Sequence, residues 1–206
     1  FGNKKQTIAF ATSVSVPYNP SSPLASVRPK GLSLPGTSGS YASTPDSPAN
    51  SVIGDIDMRV LLTHDSWAPA TAETFITKDD LATNRDYGFR FNSGSTGKLQ
   101  FVGSPDGFTT FPDANNVTGG FSVVSTAATG FAPGSTHWVR VTRSASTGQI
   151  RFYTSDDYDA SANTGTWAQL GDTINAPVGA IHDGTSILQV GSRTGAADNP
   201  LKGTIY

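Results

Sequence analysis

Two carboxylates set two residues apart, Asp55 and Asp57 in the stretch GDIDMRV, are the first side chains in this sequence whose spacing could do chemistry. An extended backbone rises roughly 3.3 Å per residue, so the pair shares one face about 6.6 Å apart. Glycoside hydrolysis uses carboxyl pairs about 5–5.5 Å apart for retention and about 6.5–9.5 Å for inversion, so distance alone admits it. Arg59 argues the other way. It projects beside Asp57, where its charge holds the carboxylate ionised and spoils a general acid. A charged solvent face is the plainer reading. A hydrolase requires Asp55 and Asp57 to be buried together with raised pKa values.

A second cluster lies in SDDYDASANTG, where Asp156, Asp157, Asp159 and Asn163 put hard oxygen ligands in one loop. Calcium takes six to eight such oxygens, but the glycine and bidentate glutamate of the helix-loop-helix calcium site are missing. Calcium is therefore the only cofactor to consider, against a plain polar turn. The aromatic residues give a third set. Sugars stack on exposed rings, and Trp67 in HDSWAPA reads as a loop residue among turn formers. Trp138 neighbours the inward Val139 and so points to the opposite face of its strand, where it and Arg140 could floor a glycan groove. Tyr158 sits in the acidic loop. Trp67, Trp138, Arg140 and Tyr158 are the ligand-contact candidates, set against simple packing of the rings. His64, His137 and His182 show no H-E-x-x-H spacing, and no G-x-S-x-G nucleophile elbow is present. A serine–histidine–acid arrangement is left open by sequence order. The glycine turns GSTG and GTSG lack the lysine ending of a phosphate loop.

The elements that must position these groups are strands. Ile56, Met58, Val60 and Leu62 alternate with Asp57 and Arg59; Tyr87, Phe89 and Phe91 alternate with Gly88 and Arg90; Leu99 and Phe101, then Phe121 and Val123, repeat the rhythm. HWVRVTRSASTGQIRFYTS reads as a hairpin in which Val139 and Val141 face Ile150 and Phe152. With 22 Gly and 13 Pro against 15% charged residues, turn formers suffice to separate many short strands. No stretch carries the 3.6-residue period. At 206 residues, one well-cored domain is expected. A net charge of −2 leaves no footprint for nucleic acid. The absence of cysteine removes disulfides and thiolate metal sites without naming a compartment. No apolar run approaches the roughly 20 residues of a membrane span, and no secretory signal opens the chain, which reads as soluble.

Residues 1–38 read as an extended arm. Ile8 to Val16 alternate, and Pro17, Pro20, Pro23, Pro29 and Pro35 follow, a pattern for an edge strand and linker rather than a sheet interior. It serves either as an arm docking on a neighbouring subunit or as a plain tether. Residues 39–206 form the domain.

The segments SYASTPDSPANSVIGDIDMRVLL, THWVRVTRSASTGQIRFYTS and LQVGSR with LKGTIY resemble, in order, the opening strands, hairpin and closing strands of laminin-G-like, concanavalin A-like lectin domains. WVRVTR, FYTSDD and TWAQLGD are similar to the form of that domain found in tailed-phage virion proteins. The resemblance implies an all-β, two-sheet antiparallel jelly-roll sandwich with a binding or structural role. Glucanases of this architecture carry a strand resembling E-x-D-x-x-E. Here Asp55 stands at the first acid and Val60 at the third, which weakens the hydrolase reading further. The chain also stops at Tyr206 part-way through the family's last strand, so a partner or further chain is expected to cover that edge.

The reading that follows is a non-enzymatic virion module on a decoration, fibre or tail protein. It is displayed in many copies at the virion surface or outside the cell, tethered to other virion proteins by its arm, and holds glycans weakly. The alternative is a stand-alone carbohydrate-binding module of a cell-surface or secreted protein. A glycoside hydrolase comes third.

Overall fold

A computed structural model describes residues 30–80, 84–107, 120–156, 166–193 and 198–206. Among them no helix occurs, so none is long and apolar enough to cross a membrane. The strands are β1 (Leu32–Pro35), β2 (Ala42–Thr44), β3 (Ile56–His64), β4 (Glu73–Asp79), β5 (Arg85–Phe91), β6 (Leu99–Gly103), β7 (Phe121–Val124), β8 (Thr136–Arg143), β9 (Gln149–Ser155), β10 (Ala168–Gln169), β11 (Ile174–Asn175), β12 (Leu188–Val190) and β13 (Lys202–Ile205). They make two antiparallel sheets. The first runs β1-β13-β3-β8-β9-β10, with β11 also on β9, and the second runs β2-β12-β4-β5-β6-β7. The expected all-β sandwich is the observed fold.

Alternation explains why these segments pair. Tyr87, Phe89 and Phe91 are all enclosed, as are Leu99, Phe101, Phe121 and Val123, which sends one face of the second sheet into the core. Val60, Leu62, Val139, Val141, Ile150 and Phe152 send the first sheet's inner face to meet it. Phe75 packs edge-on against Phe89 at 5.0 Å and Phe91 at 4.8 Å between ring centres. Such pairs add about 0.5–1.5 kcal/mol beyond the area they bury.

The β8–β9 hairpin forms across Ser144–Gly148, with Gly148 N–H donating to the Ser144 carbonyl and Gly148 at φ +71°, a conformation glycine adopts without strain. Its register differs from the expected one. Val141 faces Phe152, but Val139 faces Thr154, and Ile150 faces Arg143. Arg143 therefore lies on the inner side, where its guanidinium donates to the carbonyls of Gly54, Pro177 and Gly179 at the sandwich end.

Two expectations about the chain ends need separating. Residues 1–29, with most of the expected arm, lie outside the described residues. The remainder is not all linker: Leu32–Pro35 is strand β1 and pairs with β13. Consequently β13 is not an open edge awaiting a partner. It lies between β1 and β3, and Tyr206 N–H donates to the Leu61 carbonyl. The chain's own β1 covers the edge because four residues, with only Leu34 turned inward, suffice for an edge strand.

The second sheet carries two register shifts between β4 and β5. Thr74 opposes Arg90 and Ile76 opposes Phe89, leaving Phe75 as the extra residue. Lys78 opposes Tyr87 and Asp79 opposes Arg85, leaving Asp86 as the extra residue on β5. Bulges re-aim side chains, and both of these turn a side chain inward.

Candidate functional site

The outer face of the first sheet gathers the groups that alternation leaves outside. Antiparallel register sets Arg59 of β3 opposite Arg140 of β8, and Arg140 opposite Tyr153 of β9. Two like charges facing each other across strands repel. Asp57, two residues along β3, relieves this. Its carboxylate accepts from Arg59 Nε at 3.1 Å and Nη2 at 2.8 Å, and from Arg140 Nε at 2.9 Å and Nη2 at 2.8 Å. Partial burial pushes the Asp57 carboxyl up, but hydrogen bonds and charge from both arginines outweigh it and hold the group below the usual carboxylate range. Each guanidinium spends one edge on Asp57. A guanidinium has five N–H donors, so the edge of Arg140 opposite Asp57 carries donors that point away from that carboxylate.

Aromatic rings frame the two guanidinium groups. Arg140 lies 5.1 Å from the Tyr153 ring centre and 5.4 Å from that of Trp167, and Arg59 lies 5.9 Å from Trp167. These are cation–π distances. Trp138, one cross-strand row away opposite Leu61, meets Trp167 edge-on at 6.2 Å. The rings and guanidiniums are half-buried, so each shows an edge to solvent. Among the described residues, Arg59 and Arg140 against Asp57 leave one positive charge over. The shelf can hold an apolar ring face and an anionic oxygen pair together.

Of the sequence candidates, Trp138 and Arg140 are brought together here. Trp67 is not. It is a core residue with 2% of its surface exposed, edge-on to Phe91 at 5.7 Å, its indole N–H donating to the Ser135 carbonyl at 3.1 Å. The turn formers around it bend the chain so that the ring plugs the sandwich end, and no face remains for a ligand. Tyr158, Asp157, Asp159 and Asn163 lie outside the described residues. Asp156, the remaining calcium candidate, is against His137 Nδ1 at 2.6 Å. Among the described residues no cluster of three metal-binding side chains forms.

Sequence reasoning missed Arg59, Tyr153 and Trp167 as members of the shelf. The signal for Arg59 and Tyr153 was their parity, matching Arg140 once the hairpin register is known. Trp167 had no local signal.

The carboxylate pair does not assemble into a hydrolytic site. Asp55 is exposed and accepts the Ala145 N–H at 2.7 Å, while Asp57 is committed to two arginines. The histidines stand apart. His64 is buried with Nε2 at 2.8 Å from Glu73, and His182 contacts Asp86. His137 stacks on Phe131 at 3.5 Å between Asp156 and Ser135. That order imitates a nucleophile–base–acid relay, but the Ser135 hydroxyl donates to the Ala132 carbonyl at 2.5 Å and the Asp156 side chain is 77% exposed. The group straps the loop before β8.

The sequence matches no protein-family model and no curated protein. The fold does find likenesses among solved structures. The CBM40 of the Ruminococcus gnavus IT-sialidase bound to α2,3-sialyllactose superposes with a TM-score of 0.56 at 11% identity, over 85% of this chain and 86% of that one. The same module bound to α2,6-sialyllactose gives 0.52 at 13% identity, over 85% and 89%. These likenesses identify the fold as a concanavalin A-like jelly-roll sandwich.

Proposed function

We propose that this chain is a carbohydrate-binding module whose working surface is the outer face of the first sheet, with a preference for acidic sugars. One observation carries the reading: Arg59 and Arg140, both forked onto Asp57, sit beside Tyr153, Trp167 and Trp138 on one partly exposed shelf. An acidic sugar presents an apolar C–H face and a carboxylate. Rings accept the first, and the Arg140 guanidinium edge facing away from Asp57 donates to the second through charge-assisted hydrogen bonds worth about 1.5–3 kcal/mol each. The sialyllactose-bound modules of the same fold support the ligand class. A shallow shelf binds weakly, so many copies on a virion or cell surface supply avidity. The likeness of WVRVTR and TWAQLGD to phage virion domains suggests the virion as that setting.

The test is titration calorimetry of the chain with α2,3-sialyllactose and with lactose, followed by a glycan array. Sialyllactose is expected to bind and lactose to bind more weakly, with a loss at raised salt. Arg140→Ala is expected to weaken binding about tenfold or more, which is about 1.4 kcal/mol. Unchanged binding in Arg140→Ala, or no glycan bound at all, would overturn the proposal.

A further inference from the structure

Lys78 on β4 is the only fully enclosed lysine among the described residues, with 0% of its surface exposed. Its Nζ donates to Asp86 Oδ2 at 2.6 Å and to the Gly184 carbonyl, and Asp46 Oδ1 lies at 3.1 Å. Asp86 is 1% exposed. Its other oxygen, Oδ1, accepts from Gly184 N–H at 2.9 Å and from His182 Nδ1 at 2.9 Å. The bulge in β5 is what turns Asp86 into this position. The glycan shelf uses none of these residues.

Their arrangement contains each part that amide formation needs. The amine nitrogen touches the carboxyl group it would attack. Two donors sit on Oδ1, where negative charge develops in a tetrahedral intermediate, and such donors act most strongly where water is excluded. A second carboxylate, Asp46, touches the same nitrogen and can move protons from it. Enclosure adds a driving force, because an ion pair held away from water carries a desolvation penalty that a neutral amide does not. Fixed contact between the reacting groups removes the entropic barrier that makes this condensation slow in solution.

We propose that Lys78 and Asp86 condense into an intramolecular isopeptide bond joining β4 to β5. The Lys78 ammonium passes one proton by way of Asp46 to Asp86 Oδ2, which leaves a free amine and a neutral carboxyl, and the amine nitrogen then attacks Asp86 Cγ. Charge moves onto Oδ1, held by Gly184 N–H and His182 Nδ1–H. The Cγ–Oδ2 bond then breaks, and Oδ2 leaves as water with two protons from the former ammonium, one relayed by Asp46. One ammonium and one carboxylate become one neutral amide and one water, with no oxidant or co-reactant. The bond gives a chain without cysteine a covalent cross-link.

Intact-mass measurement of the purified chain, aged at neutral pH, is the test. The expected mass is lower than the sequence mass by one water, and a tryptic digest is expected to yield a branched peptide joining Lys78 to Asp86. Lys78→Arg, which keeps the charge, is expected to restore the full sequence mass. Asp46→Ala is expected to slow formation about a hundredfold or more, the usual contribution of a positioned proton carrier. An unmodified mass in the folded wild-type chain overturns the proposal whether or not any variant folds, as does a branch at any acid other than Asp86. If Asp46→Ala condenses as fast as wild type, the assignment of Asp46 fails.

Discussion

Asp57 and Asp86 each bridge two basic side chains, yet they differ in how far water reaches them. Asp57 lies on the open face of the first sheet with two arginines, and its side chain is 30% exposed. Asp86 lies at the end of the sandwich with Lys78 and His182 and is sealed from water. Burial decides what each grouping can do. In the open cluster water screens the charges and the Arg140 guanidinium edge away from Asp57 can donate to a visitor, which suits recognition. In the closed cluster the lysine's donors are already directed at three protein acceptors. Lys78 and Asp86 themselves are shut off from solvent, so these two act on one another. The same pairing of acid and base is a reading surface in one place and a sealed internal unit in the other.

The comparison can be broken from its closed side first. Lys78→Met leaves Asp86 enclosed with neither an amide nor a cation for a partner, and removing one partner of a buried pair typically destabilises by about 3–5 kcal/mol. Urea unfolding is expected to show that loss, while removal of an open-face arginine changes stability far less. If Lys78→Met is as stable as wild type, the distinction between the two clusters fails.

A tryptophan pair sharpens it next. Trp67→Ala empties a core site and is expected to lower stability by about 3–5 kcal/mol. Trp167→Ala, on the shelf, is expected to lower sialyllactose affinity with a much smaller stability change. Reversal of those two outcomes would move the working surface off the first sheet.

A smaller effect is expected in acid. The folded-state pKa of Asp57 lies below its ordinary 3.8. Its contribution to stability is therefore complete above that value and is lost as pH falls through the lowered one. Asp57→Asn is expected to flatten the acid limb of the stability curve, read from thermal melts between neutral and strongly acidic pH. The smallest effect belongs to Asp55→Asn. The side chain is exposed and an amide oxygen can still accept the Ala145 N–H, so stability should stay within about 0.5 kcal/mol of wild type. A large loss there would reopen the paired-carboxylate reading.

Much of the fold was legible because strands sort their side chains with a period of two. Tyr87, Phe89 and Phe91 could only face one way, and their being aromatic named that way as inward. The same parity set Asp57 and Arg59 on one face and placed Trp138 with Arg140 on the outside of β8. Where parity was silent the reading failed. Trp67 is flanked by turn formers, which mark a bend without saying whether the ring turns into the core. The closing strand looked bare because nothing local links Leu32–Pro35 to Lys202–Ile205, some 170 residues apart in sequence.

Alternating hydrophobicity and abundant turn residues, properties carried by each short segment, thus determined by themselves that the chain is all-β, a sandwich or a barrel, and which face of most strands turns inward. Only the tertiary structure decided which outward groups meet. Arg59, Arg140, Tyr153 and Trp167 come from four separate segments and share one shelf through cross-strand register and loop return. Asp86 reaches Lys78 only because a single extra residue in β5 turns it inward. Register and bulges are set by pairing across the whole sheet, and that pairing is a long-range property no local pattern encodes.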